Sequence, residues 1–168
     1  MRRLCLSLLC GLLAVPAAVA ATRMTGDGVF ELKDAAGTVM LTGTRGTVWG
    51  QMDSGRLIVT DPLAGDGAVF VSGAEVVKTI GDTITSYSGK DIRFRVTGGK
   101  YKLLFRGTVW GMPATGIDLT AVGVGTAQLT GDAFVNSGNY ALDNGKWNPL
   151  TVLMRTVRFG IPPAATSP

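Results

Sequence analysis

Short segments of alternating apolar and polar residues fill the sequence from Gly28 to Gly160, and turn-forming residues separate them at intervals of about 8 to 12 residues. The 24 glycines disfavour helix, because each costs about 1 kcal/mol relative to alanine, and no window carries an apolar stripe of helical period. The pattern predicts an all-β domain, an antiparallel sandwich or jelly roll of about 10–12 short strands. Four of these are predicted between Val29 and Thr60. A barrel and a β-helix are the alternatives, although a β-helix needs three or more stacked repeats.

The best-defined local element predicted is a hairpin around Gly98 and Gly99, since two-residue glycine loops suit tight hairpin turns. In this register Val96 pairs with Tyr101 and Phe94 with Leu103. All apolar side chains then fall on one face and the basic ones on the other. Because a slip of one residue would destroy that sorting, the pattern predicts direct pairing of the two strands.

An internal repeat is the only motif that recurs. The sequence RGTVWG occurs at residues 45–50 and again at residues 106–111, so that Arg45 and Trp49 correspond to Arg106 and Trp110. Each copy is followed at the same offset by Ser-Gly or Thr-Gly and then by a predicted strand. The repeat therefore predicts a duplicated strand-turn-strand unit.

The N-terminus has the layout of a secretory signal peptide. Arg2 and Arg3 precede an apolar run and an Ala-Val-Ala site that ends at Ala20, as in cleavable export signals. We predict a signal peptide at 1–20, a single β domain at 21–160 and a disordered tail at 161–168. The apolar run is shorter than the roughly 20 residues of a membrane-spanning helix, so we expect a secreted, periplasmic or cell-envelope protein that is not an integral α-helical membrane protein.

Charge and residue types exclude several functions. Loss of Arg2 and Arg3 would lower the basic residues from 16 to 14 against 12 acids, a balance unlike that of a nucleic-acid-binding domain, so no nucleic-acid partner is expected. The chain has no histidine, and both cysteines, Cys5 and Cys10, lie in the predicted signal peptide. Histidine-based triads, cysteine nucleophiles and common zinc sites are thereby removed, and we expect no catalytic residue of these types, no metal and no cofactor.

A basic cluster is the strongest candidate for contact with a ligand. Residues 90–106 include six basic residues and a single acidic residue, Asp91. The candidate anion-contact residues are Lys90, Arg93, Arg95, Lys100 and Lys102. They either form a solvated outer face that discourages edge pairing or bind an anionic envelope lipid or polysaccharide.

Acidic and aromatic residues leave other interpretations open. Paired carboxylates can hydrolyse glycans without histidine, and Asp118, in mid-strand, is the acid hardest to dismiss. Most of the other aspartates lie beside Gly or Pro, where a turn-forming role is expected. The loops at residues 26–28 and 61–67 suit calcium only weakly. The repeated tryptophans are expected in the core or over glycine rather than in an exposed sugar-binding row. One is a candidate to cover the flat strand face from Ala121 to Ala127.

Three segments carry a resemblance to known proteins. The RGTVWG element, the stretch from Tyr87 to Arg95 and the stretch from Gly116 to Gly123 resemble secreted, glycine-rich bacterial proteins, and this resemblance implies no activity. A looser similarity of composition and strand spacing is to the periplasmic jelly rolls that transport lipopolysaccharide. We therefore expect a non-enzymatic, envelope-associated binding or structural module, with a carboxylate-dependent glycan hydrolase or lyase and an acyl-chain carrier as the alternatives.

Overall fold

The computed structural model describes residues 23–63, 65–109 and 112–161. Within them the chain forms one antiparallel, all-β sheet system and no helix, which confirms the predicted fold class. The strands are β1 (Gly28–Thr60), β2 (Gly67–Ile80), β3 (Ile84–Gly98), β4 (Tyr101–Arg106), β5 (Ala114–Gly131), β6 (Asn139–Leu142), β7 (Asn148–Pro149) and β8 (Arg155–Phe159). No described helix is therefore long and apolar enough to cross a membrane.

Strand β1 organises the sheet. It has 33 residues and merges the four short strands predicted between Val29 and Thr60. Residues 38–54 of β1 pair with one edge of β5, and residues 28–35 of β1 pair with the opposite edge of β5. Both residues 39–43 and residues 56–60 pair with β4, so the sheet curls until two parts of one strand meet the same neighbour. This curling folds the sheet over one core, in an arrangement compatible with the predicted sandwich.

A row of paired glycines crosses the sheet. Five strand segments contribute one glycine each, and neighbouring glycines are paired: Gly67, Gly98, Gly46, Gly123 and Gly28. At Gly46, which has a φ of +130°, a methyl group would overlap the carbonyl oxygen of Val122 and lie 2.9 Å from the Cα of Gly123. The strands approach closely here because no side chain separates them.

The core is filled by aromatic and aliphatic side chains from both sides of the curled sheet. Phe30 and Phe159 stack with ring centroids 5.9 Å apart, and Phe94 and Phe105 are tilted at 5.1 Å. The Phe159 ring also lies over Gly125, where an added methyl would meet its Cζ atom at 2.7 Å. The cover predicted for this flat strand face is therefore a phenylalanine and not a tryptophan.

The hairpin predicted at Gly98 and Gly99 is wrong. Strand β3 pairs with β1 and β2, and β4 lies between two parts of β1. The backbone N–H of Gly99 donates to the carbonyl oxygen of Asp66 at 3.2 Å, and the two-residue link of Gly99 and Lys100 leads from β3 to β4 without pairing the two strands. The predicted sorting of side chains is nevertheless correct, because the alternating pattern buries the same residues in either arrangement.

The two copies of the repeat have different structures. Arg45 to Gly50 lie inside β1, where the pairing with β5 shifts next to Arg45. In the second copy Arg106 ends β4, and Thr108 and Val109 form a bend. Among the described residues of the two copies, only the second copy leaves the strand conformation. A shared strand-turn-strand conformation is thus not adopted, although Ser54 and Thr115, which follow the two copies, pair directly with each other.

The ends of the described chain meet on one side of the sheet. The predicted signal peptide lies outside the described residues, as do residues 162–168 of the predicted tail. Ile161, the first residue of that tail, donates its backbone N–H to Gly26 at 2.7 Å. The last described residue is therefore tied to the segment that leads into β1.

Candidate functional site

Two rows of side chains cross the outer surface of the sheet, three and five residues along β1 from the glycine row. The first consists of Phe70, Arg95, Trp49, Thr120 and Glu31, and the second of Ser72, Arg93, Gln51 and Asp118. Residues directly opposite each other on antiparallel strands point to the same side of a sheet and lie within contact distance. The rows therefore form one continuous surface, which we call the Trp49 face.

The Trp49 face is turned outward by the same alternation that builds the core. Val48, Phe94 and Leu119 lie next to its members along the strands and are buried. Trp49 is 38% exposed and Phe70 is 64% exposed. Trp49 therefore does not lie in the core, which was one of the two positions predicted for the repeated tryptophans.

A shallow groove of about 450 Å³ occupies one end of the face. Trp49 and Trp147 both line it, and Trp147 is 42% exposed. Gln51, Asp118 and Thr120 supply polar groups to the same groove. Exposed tryptophans with hydrogen-bonding side chains beside them can pack against the apolar face of a sugar ring and bind its hydroxyls.

Two carboxylates also line this groove, Glu31 and Asp118. Asp118 accepts a hydrogen bond from the backbone N–H of Asp34 at 2.7 Å and from Nε2 of Gln51 at 3.4 Å. These bonds tie β5 to both parts of β1 that flank it and orient Gln51 within the face. Asp118 thus has a positioning role in the sheet.

The other end of the face is basic. Arg95 lies between Trp49 and Phe70 in the first row, and Arg93 lies between Gln51 and Ser72 in the second. Among the described residues, neither arginine has a carboxylate within 4.0 Å, since the ion pairs there are Arg23–Asp143 and Arg45–Asp27. The face therefore presents unneutralised guanidinium groups beside aromatic rings at one end and carboxylates at the other.

The five predicted anion-contact residues do not form one strip. Arg93 and Arg95 belong to the Trp49 face, whereas Lys102 lies on β4 opposite Thr42 and Thr60. Lys90 is opposite Ser54, beyond the second row, and Lys100 lies in the two-residue link between β3 and β4. Arg95 and Lys102, which would be opposite each other in the predicted hairpin, are not paired in the described sheet, because β3 and β4 are not neighbours.

The four repeat residues have separate environments. Arg45 forms an ion pair with Asp27 at 3.1 Å and Trp49 lies on the face named after it. Arg106 is exposed and stands opposite Arg56, and Trp110 lies outside the described residues.

Most of the aspartates expected in turns act there as backbone acceptors. Asp61 and Asp132 accept N–H bonds from residues two positions ahead, at 3.2 and 2.8 Å. Asp143 accepts from Val29 at 2.9 Å and Asp27 from Met24 at 2.8 Å. In the part of the chain that the structure describes, no group of three or more acidic side chains is placed to hold a metal ion.

Sequence reasoning missed Phe70 and Gln51 as members of the face, and also the pairing of Arg56 with Arg106. Both omissions have the same cause, because cross-strand neighbours depend on which strands pair and not on local pattern. The register of Gln51 between Arg93 and Asp118, for example, joins three strands that are far apart in the sequence.

Comparison of the chain with models of protein families, with curated proteins and with solved structures gives no match. The class of protein is therefore defined by the fold, an all-β antiparallel domain with a mixed aromatic and charged outer face.

Proposed function

We propose that this chain is an exported, non-enzymatic binding module of the cell envelope whose Trp49 face binds an acidic polysaccharide. The observation that carries the proposal is the first row, in which Arg95 stands between the exposed rings of Trp49 and Phe70, next to a groove lined by two tryptophans. The export signal expected at residues 1–20 is the reason for the envelope location.

The tryptophans supply the affinity for a sugar ring in this proposal. Trp49 and Trp147 offer exposed apolar surface, and Gln51, Thr120 and Asp118 can exchange hydrogen bonds with hydroxyl groups. The sheet is open at this place, and an extended polymer could lie across several strands. A flat, accessible face suits a chain-like ligand better than a small molecule, which usually binds in a concave pocket.

The arginines supply the preference for acidic sugars. Adjacent strands lie about 4.8 Å apart, a spacing comparable to the width of one hexose. A ring packed on Trp49 would therefore bring an attached carboxylate or sulfate over Arg95 on the neighbouring strand. Arginine binds such groups through two parallel N–H bonds.

The hydrolase alternative rests on one observation, that Glu31 and Asp118 line the same groove. A glycosidase needs two carboxyl groups on either side of the scissile bond. If the wild-type protein released reducing ends from the polysaccharide and Glu31→Gln did not, the protein would be a glycan hydrolase and the binding-module proposal would be wrong.

Binding of polygalacturonate and of neutral dextran, followed by affinity electrophoresis at two salt concentrations, tests the proposal. We expect retardation by polygalacturonate that weakens with salt, and about tenfold weaker binding in Trp49→Ala and in Arg95→Gln, equivalent to about 1.4 kcal/mol. Phe134→Ala is the matched aromatic control, because Phe134 is 94% exposed and lies off the face. Equal retardation of the wild type and both face variants would refute the proposal.

A further inference from the structure

We infer a second anion site, specific for phosphate groups, in a groove on the other half of the outer surface. This groove has a volume of about 530 Å³, and we call it the Arg56 groove. Its positive charges are Arg56, Lys78 and Lys90, and its hydroxyl groups include those of Ser86 and Ser88. It goes beyond the proposed function, because it shares no residue with the Trp49 face.

The sheet brings these residues together from three strands. Arg56 on β1 is opposite Ser88 on β3, and Ser86 is opposite Lys78 on β2. Lys90 lies opposite Ser54. Hydroxyl and cationic side chains therefore alternate over neighbouring positions, which is the donor set that a phosphate group needs on several of its oxygens.

Arg56 is half-buried and held in a fixed orientation. Its Nε donates to Oγ of Ser88 at 3.0 Å, and its Nη2 donates to the carbonyl oxygen of Thr108 at 3.4 Å. A guanidinium group has five N–H donors, so donors are left over after these two bonds. A side chain fixed in this way loses little conformational entropy when it binds a ligand.

The groove carries uncompensated positive charge. Glu75 is the one acid among its lining residues, and no carboxylate in the described residues lies within 4.0 Å of Arg56, Lys78 or Lys90. Arg106 stands directly opposite Arg56 on β4, and like charges in that position repel. A dianion bound in the groove would offset this repulsion and would be attracted by the three cations that line the groove, Arg56, Lys78 and Lys90.

The phosphate group could belong to a free anion or to a lipid headgroup. A residue at the rim of the groove allows an experiment to distinguish these two ligands. Ile80 lines the groove and is 61% exposed. It would contact the apolar part of a phospholipid but would add nothing to the binding of inorganic phosphate. Its replacement therefore discriminates between the two sources.

The test is a titration of the mature protein with inorganic phosphate, followed through the backbone amide NMR signals of residues 86–90, and co-sedimentation with phosphatidylglycerol vesicles against phosphatidylcholine vesicles. We expect a saturable response in at least one of these arms. In that arm, binding should be about tenfold or more weaker in Arg56→Gln, as for loss of a charge-assisted hydrogen bond. The double variant Lys78→Ser/Lys90→Ser, which keeps the two Arg56 bonds, should be weakened in the same direction.

Arg158→Gln is the matched control, since Arg158 is an exposed residue of β8 outside the groove. Vesicle binding that Ile80→Ser weakens assigns the phosphate to a lipid headgroup, and saturation by inorganic phosphate alone assigns it to a soluble ligand. Either result supports the site. The site is refuted if neither arm saturates, or if the double variant binds as tightly as Arg158→Gln.

Discussion

Arg45 and Asp27 form an ion pair in which Nε and Nη2 of the arginine both lie 3.1 Å from Oδ1 of the aspartate. The Asp27 side chain is only 5% exposed and that of Arg45 28%. Nη2 of Arg45 also donates to the carbonyl oxygen of Thr25 at 3.0 Å. The pair fixes the segment before β1 to the place where β1 shifts register against β5.

Replacement of Asp27 by asparagine should therefore destabilise the fold. It would leave the largely buried guanidinium of Arg45 without its counter-charge, and we expect a loss of about 3 kcal/mol in the free energy of unfolding. Urea denaturation followed by tryptophan fluorescence measures this. Arg23→Gln is the control, because Arg23 and Asp143 form an exposed pair whose loss should change stability by less than about 1 kcal/mol. Similar losses in both variants would contradict this account.

Replacement of Gly46 by alanine should destabilise the protein by about 3 kcal/mol or more, since the methyl group would overlap backbone atoms of β5 in an unfavourable conformation. Gly81→Ala separates the two effects. Gly81 has a φ of +64° but has nothing within 4 Å of an added methyl, so only the conformational cost of about 1 kcal/mol should appear. Thermal melts of the two variants make the comparison, and equal losses would exclude close strand packing as the cause.

Replacement of Tyr101 by phenylalanine should stabilise the protein by about 1 kcal/mol. The Tyr101 hydroxyl is buried and has no hydrogen-bond partner in the described residues, and an unsatisfied buried donor is costly. Burial also raises the pKa of Tyr101 above its usual range. The unfolded chain then loses this proton first, so stability present at lower pH should decline as the pH rises above about 10.

Urea midpoints measured between pH 7 and 11 test both parts of this prediction. In Tyr101→Phe the midpoint should be higher at pH 7, and its decline above pH 10 should be shallower than in the wild type. Parallel curves for the two proteins would show that Tyr101 does not contribute to the alkaline transition.

Engineered disulfides can test the strand register. In a background with Cys5 and Cys10 replaced by serine, Thr47→Cys/Thr97→Cys joins residues that are directly opposite on β1 and β3, within the Cα separation a disulfide tolerates. It should form a bond on mild oxidation. Arg95→Cys/Lys102→Cys, opposite each other only in a β3–β4 hairpin, should not. A disulfide in the Arg95→Cys/Lys102→Cys variant and none in the Thr47→Cys/Thr97→Cys variant would show that β3 and β4 form the hairpin.

The sequence predicts the fold class and most of the buried face, because alternation with period two determines which side chains point inward. Phe94 and Phe105 both belong to the apolar face that the alternation predicts, and both are buried. Their rings are in contact, but across the core and not within a hairpin. Alternation carries no information about which strand lies alongside another. The Trp49 face could not be predicted for this reason, since Phe70, Arg95 and Trp49 meet only through pairing of β2, β3 and β1.

The length of β1 has a consequence for how the protein folds. Every strand with which β1 pairs comes later in the chain, and Gly28, at its start, pairs with Gly123. Domains dominated by such distant pairings fold slowly, and during synthesis residues 28–38 of β1 would stay unpaired until β5 has emerged, because their partners lie on β5 and β6. If the chain is exported as we propose, this delay would keep the polypeptide unfolded long enough to pass through a narrow translocation pore before the sheet forms.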